Sequence, residues 1–205
     1  MLIRHRGAEP RVDPSAYVAP TATLVGDVRV GPRARIMYGA VLDAEGAHIE
    51  IGEACVVAEN AVLRATAVAD PPHPVVLADH VFVSPQATLL GCRVDRCAYL
   101  ATGSTVLQGA SIGPGAVIAV GALVHARAAV PAEFFVPPMT VAVGEPLRVL
   151  GPDRPDELAA AIRDVNFASA AFGVDAEWTD RVARYERITE VRVAEFGAHT
   201  DDEVL

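Results

Sequence analysis

The sequence predicts an all-β solenoid: a parallel β-helix of hexapeptide repeats followed by C-terminal α-helices. Three observations predict it. Branched aliphatics recur every six residues, small residues follow most of them by four positions, and the chain is 52% hydrophobic but only 5% aromatic. A core built from Val, Leu, Ile and Ala suits stacked short strands better than a globular domain packed around rings.

The first run is Val12, Val18, Leu24, Val30, Ile36, Leu42. The pattern resumes at Ile51, Val57, Leu63, again at Leu77, Val83, Leu89, and then runs Val94, Leu100, Val106, Ile112, Ile118, Val124, Val130, Val136. The small partners are Ala16, Ala22, Ala34, Ala40, Cys55, Ala61, Ala87, Ala98, Ser104, Ala110, Ala116 and Ala122. Neither the 3.6-residue period of a helix nor the alternation of an ordinary strand produces this. A coil bending every six residues does: the aliphatic points inward, and the small residue sits near the bend against the coils above and below. Gly31, Gly52 and Gly113 mark places where backbone meets backbone closely.

Breaks in the period locate the departures from a bare coil. Three extra residues fall around Glu45-Gly46-Ala47, and eight fall in the excursion that includes Asp70-Pro71-Pro72-His73-Pro74. Leu89 to Val94 is one residue short. Loops on a rigid scaffold are where function concentrates. The solenoid is expected over 1–150, two helices packing on the coil or a neighbouring subunit over 151–197, and a disordered tail over 198–205. Pro155, Asp156 and Glu157 suit a helix start, with Leu158, Ile162, Val165 and Phe172 on one face and Gly173 as the stop. A second helix is expected from Ala176 to Phe196. Trp178, Val182, Tyr185 and Ile188 form its apolar stripe, with Glu177–Arg181 and Asp180–Arg184 pairs on its wet side.

Composition excludes several chemistries. The net charge is −9, and all 17 basic residues are arginine. Without lysine there is no Schiff base, no P-loop lysine and no kinase-type lysine. The acid excess argues against a nucleic-acid partner. Three cysteines do not make a disulfide framework, and Cys55 and Cys92 read as structural. The uncharged stretch from Cys97 to Ala126 is long enough to span a bilayer, but regularly placed glycines interrupt it. Arg4, His5 and Arg6 directly after Leu2-Ile3 leave no apolar signal segment. A cytoplasmic protein without a membrane partner is expected.

Val25-Gly26-Asp27-Val28, Tyr38-Gly39-Ala40-Val41-Leu42, Ile51-Gly52, Leu89-Leu90-Gly91-Cys92 and Val106-Leu107-Gln108-Gly109-Ala110 resemble the gamma-class carbonic anhydrases and their hexapeptide relatives. The likeness covers about Val12 to Leu150, including the spacing of the insertions. It implies a left-handed coil and a homotrimer, in which three histidines from neighbouring subunits hold zinc or iron and a metal-bound hydroxide attacks CO2. Matched position by position, the ligands are replaced here by Arg64, Pro85 and Leu90. The family's Arg-Gly-Asp becomes Asp43-Ala44-Glu45, and its Asn-Ile-Gln becomes Val56-Val57-Ala58. No metal at those positions, no other cofactor and no CO2 hydration are therefore expected. No pair of histidines has the spacing of a local metal motif.

Arg64 places a planar cation where a metal ligand stood, with Asp43 and Glu45 expected nearby. Two readings stay open: an ion pair with Asp43 or Glu45 of a neighbouring subunit, or a fork for a carboxylate or phosphate. The expected site is an intersubunit cleft for a small anionic molecule, with Arg64, Ser84 and Gln108 as binding candidates. Arg64, Asp43, Glu45, His73 and His80 are the catalytic candidates. An acyltransferase using a coenzyme A donor, with His73 or His80 as base, is the first alternative. A non-catalytic assembly subunit docking through the C-terminal helices is the second. Whether the protein is an enzyme stays open at this level.

Overall fold

The inward aliphatics form three ladders, one on each side of a triangular coil. In the computed structural model, which describes residues 1–175 and 179–205, Leu24 pairs with Leu42, Leu42 with Leu63, Leu63 with Leu89, and Leu89 with Val106, all in parallel register. The second ladder runs Val12, Val30, Ile51, Leu77, Val94, Ile112, Val130. The third runs Val18, Ile36, Val57, Val83, Leu100, Ile118, Val136. Among the described residues these belong to one ten-stranded and two seven-stranded sheets. The chain is a left-handed parallel β-solenoid of about eight turns with C-terminal helices.

Period and packing are two views of one constraint. A strand two or three residues long cannot hold itself; each gains its hydrogen bonds and its buried face only from the coils on either side. Nearly every ladder member from Leu24 to Val136 is buried, as are Ala22, Ala34, Ala40, Cys55, Ala61, Ala87 and Ala98 at the bends. The close approaches fall at the expected glycines. A Cβ on Gly31 would stand 2.7 Å from the Ile51 carbonyl oxygen, and one on Gly113 2.6 Å from the Ala132 nitrogen. One row of bends takes the left-handed conformation at Arg33, Ala54, His80, Cys97, Gly115 and Glu133. His80 and Cys97 are thus exposed corner residues.

The C-terminal region differs from the sequence expectation in four respects. The first helix does not run to Gly173: α1 spans Pro155–Val165 and α2 spans Phe167–Phe172. Asn166 turns left-handed between them, φ 47°, and its N–H bonds the Arg163 carbonyl. The next helix, α3, spans Arg181–Phe196, with the Asp180 side chain capping the Ala183 N–H at 3.1 Å. The expected start at Ala176, the Glu177–Arg181 pair and Trp178 lie outside the described residues. Of the described stripe residues, Val182 is 72% and Tyr185 59% exposed on this chain and Ile188 is half-buried, while Arg184, expected on the wet side, is buried. Finally, the expected disordered tail is ordered. A 3₁₀ turn covers Gly197–Asp201, and Glu203–Val204 adds an antiparallel strand to Leu2–Arg4. Backbone pairing and an Arg4–Glu203 ion pair hold it there.

Gly113→Ala is expected to destabilise the fold by about 1–3 kcal/mol through backbone overpacking. Gly197→Ala, whose added Cβ meets nothing within 4 Å at a helical φ of −56°, is expected to be neutral or slightly stabilising. Urea unfolding midpoints of the two variants check the contrast.

Candidate functional site

The first strands of successive coils bring Val25, Asp43, Arg64 and Leu90 into one row. Neighbouring strands lie about 4.8 Å apart, so Asp43 and Arg64, 21 positions apart in sequence, are obligatory neighbours. Arg64 Nη2 lies 3.2 Å from Asp43 Oδ2 and Arg64 Nε lies 3.9 Å from Glu45 Oε1. The pairing is within one chain, where the ion-pair reading had placed it between subunits. The three-residue insertion delivers Glu45: its φ is 48°, and its N–H bonds Asp43 Oδ1 at 3.1 Å, a tight turn that folds the carboxylate inward. Both Glu45 oxygens are buried without a hydrogen bond. Burial, reinforced by the Asp43 and Glu195 carboxylates and only partly offset by His199 and Arg64, pushes the Glu45 carboxyl up to about 7.

The end of α3 closes over this corner. Phe196 lies against the Arg64 guanidinium, 4.9 Å from ring centroid to Cζ, with Arg192 against the same ring at 4.1 Å. Glu195 is paired with Arg192 and accepts the Ala67 N–H at 3.3 Å. His199 then reaches the carboxylates, with Nε2 3.6 Å from Glu45 Oε2 and 3.7 Å from Asp43 Oδ2. His5 stacks on His199 with centroids 4.3 Å apart. Asp202 joins the two rings, 2.6 Å from His5 Nδ1 and 2.9 Å from His199 Nδ1. Burial disfavours the His199 cation, but the bond to Asp202 and the Asp43 and Glu45 charges outweigh it and raise its pKa.

Asp43, Glu45 and Arg64 therefore meet, whereas the other sequence candidates stand apart. His73 Nε2 lies 3.1 Å from the Ala170 carbonyl, a hydrogen bond that pins α2 to the long excursion. His80 is an exposed bend. Ser84 and Pro85 follow a strand of a different sheet, and the Ser84 hydroxyl is buried without a partner. Gln108 lies two coils along the Arg64 edge, and its Oε1 also lacks a partner. Cys92 is fully buried, which pushes its thiol up to about 12 and leaves it inert; Cys55 donates to the Ala78 carbonyl at 3.0 Å. Sequence reasoning missed His5, Glu195, His199 and Asp202. No local spacing could have found them, because the His5–Asp202 contact joins residues 197 positions apart.

No family model matches the chain. Gamma carbonic anhydrase 3, mitochondrial, of Arabidopsis thaliana is 38% identical over 112 residues, covering 51% of this chain and 43% of that protein. A carbonic anhydrase of Geobacillus kaustophilus (strain HTA426) is 30% identical over 113 residues, covering 55% and 60%. Over about half of its length the chain is similar to the gamma carbonic anhydrases. It spans about half the length of the curated relatives it matches. Two solved structures share the fold: a hexapeptide transferase family protein from Anaplasma phagocytophilum (TM-score 0.61, 24% identity, 93% of this chain and 96% of that one) and a putative acetyltransferase from Bacillus cereus (TM-score 0.57, 25%, 97% and 96%).

The resemblance implies a metal held by three histidines, and the residues present do not fit it. A guanidinium stays protonated and offers no lone pair. Neither Pro85 nor Leu90 carries a side-chain donor. The Asp43–Arg64 row instead continues through Leu90 and Leu107 to His125, three coils beyond Arg64. His125 is buried, its Nδ1 lacks a hydrogen bond, and Phe167 meets it edge-on at 5.6 Å.

Burial lowers the His125 pKa below its ordinary 6.5. A histidine kept neutral by the fold contributes stability above its unfolded pKa and loses it as pH falls below about 6.5. Wild type is therefore expected to lose more stability than His125→Leu between pH 7.5 and 5.5, measured as the shift in urea midpoint.

Proposed function

We propose that the protein is a homotrimer that does not hydrate CO2 at the inherited interface position, carries no metal there, and uses the rebuilt cleft around Arg64 to bind a small anionic molecule. One observation carries this reading. Arg64 stands at the family's first ligand position already oriented, anchored by Asp43 and backed by Phe196, with its side chain one-third exposed and its Nε without a hydrogen bond. A guanidinium held in this way loses little freedom when a carboxylate or phosphate meets its open edge, and its planar fork matches both groups. Asp43 removes the net charge of an empty site, so the anion is bound by geometry and by hydrogen bonds more than by a bare field.

The transferase reading loses support at its base. His73 Nε2 is engaged by the Ala170 carbonyl, and His80 sits on an exposed bend outside the Asp43–Arg64–Glu45 group. The assembly reading keeps one observation in its favour: Val182, Tyr185 and Val193 form an exposed apolar face of α3, with Val193 66% exposed. In a trimer such a face either meets a neighbour or is offered to another protein.

Light scattering is expected to give about three times the 21.5 kDa chain mass. Calorimetry with inorganic phosphate and with succinate is expected to show binding that weakens about 10–100-fold in Arg64→Ala, the loss of a charge-assisted pair. The trimer should persist in that variant. Stopped-flow CO2 hydration is expected at the background rate; fast hydration, or anion binding indifferent to Arg64→Ala, would overturn the reading.

A further inference from the structure

The corner beside Arg64 holds a second set of groups that anion binding does not use. His5, Glu45 and His199 each offer one ligand atom within 4.8 Å of the others. His199 Nε2 stands 3.6 Å from Glu45 Oε2 and 3.7 Å from Asp43 Oδ2, too far for hydrogen bonds. Two donors on one ion, each about 2.0–2.2 Å from it, are separated by about 3.0–3.6 Å. The two His199 gaps are close to that spacing, while the His5 ring, stacked on His199 with its ligand atom within 4.8 Å of the others, must turn toward them to complete the set.

Two further observations point to a ligand. Glu45 is buried with neither oxygen hydrogen-bonded, an arrangement that is strongly unfavourable unless something else binds the carboxylate. Asp202 meets Nδ1 of both histidines, at 2.6 and 2.9 Å. An ionised carboxylate only accepts, so both Nδ1 atoms carry hydrogen, and in the neutral imidazole the lone pair is then at Nε2. A carboxylate behind each imidazole is the usual support for a metal-ligating histidine. Arg6 Nε takes the His5 Nε2 lone pair at 3.2 Å, but the same guanidinium also bonds the Glu195 carbonyl at 3.2 Å. It can give up the first bond and stay anchored by the second.

We propose that His5, Glu45 and His199, with Asp43 as a fourth donor, hold one divalent transition-metal ion at a site built within a single chain and displaced from the family's intersubunit position. Two imidazoles with carboxylate oxygens and no thiolate suit zinc or iron(II) over calcium or magnesium. The ion ties the first strand, the three-residue insertion and the C-terminal turn together, where Glu203–Val204 pairs with Leu2–Arg4. This goes beyond anion binding at Arg64 and stands or falls separately from it.

The test uses the full chain stripped with a chelator, titrated with Zn(II) by calorimetry and with Co(II) by visible absorption. One equivalent per chain is expected, with the intense d–d bands of a four-coordinate Co(II). His199→Ala is expected to abolish stoichiometric binding. Asp202→Asn, which keeps the shape and removes the support, is expected to weaken it about 10–100-fold. Circular dichroism confirms that both variants fold, and Arg6→Ala is expected to bind as tightly as wild type or more so. Arg64→Ala keeps the three donors and should retain the metal while losing phosphate, so the two proposals fail separately. Absence of stoichiometric binding by wild type, or unchanged binding in His199→Ala, would overturn the metal site. CO2 hydration that depends on His199 would sink the proposed function and leave this site standing.

Discussion

Parallel stacking of identical inward positions is the constraint on which the rest of the molecule depends. Every inward aliphatic must lie on its counterpart one coil away, because a strand of two or three residues has no other source of hydrogen bonds or buried surface. The outward and corner positions inherit that register without choosing it. Whatever occupies position 64 faces position 43 on one side and position 90 on the other. A cation introduced at 64 therefore demands an answer in the adjacent coil, and Asp43 supplies it at 3.2 Å. The three-residue insertion escapes the register, and that freedom lets Glu45 turn inward.

The same constraint separates what was legible in the sequence from what was not. The coil was legible because its period is local and repeated: each six-residue step carries its own inward aliphatic and its own small residue. The nearness of Asp43, Glu45 and Arg64 was legible through the family positions they match, but that Asp43 and Arg64 pair within one chain follows from the coil register and was not read from the sequence. That His80 takes a left-handed corner of the coil was not legible from its spacing to Val83. The partnership of His5 with His199 and Asp202 obeys no period. It depends on where a helix outside the repeat delivers its last residues, and on a terminal strand whose pairing adds only two residues to the sheet.

The orientation of α3 within the chain is set by its polar side. An apolar stripe usually faces the core, yet Val182, Tyr185 and Val193 face outward while Arg184 and Glu195 are buried. The surface available to α3 is a corner lined by Asp43, Glu45 and Arg64, and a polar corner selects the polar side of the helix. Buried ion pairs such as Arg192–Glu195 roughly balance their own desolvation. The net attraction then falls to Phe196, flanked by the Arg64 and Arg192 guanidiniums at 4.9 and 4.1 Å, a contact worth about 0.5–2 kcal/mol for each cation.

Charge balance links this corner to the chemistry it replaced. Three neutral imidazoles around a dication leave a positive centre that lowers the pKa of bound water. One guanidinium against Asp43 leaves a neutral pair, and a neutral pair cannot activate water in that way. Glu45 is the remainder of the sum. Its carboxylate is only partly compensated: Arg64 is held closer to Asp43 than to Glu45, and the nearby Arg192 is paired with Glu195. A buried carboxyl in that position takes a proton near pH 7 or shares a cation with His199, and its raised pKa and the raised pKa of His199 record the two sides of that competition. The corner without those ligands is therefore not featureless. It holds an incompletely balanced negative charge on Glu45 at the junction of the first strand and the C-terminal turn, where His5, His199 and Asp202 lie around it.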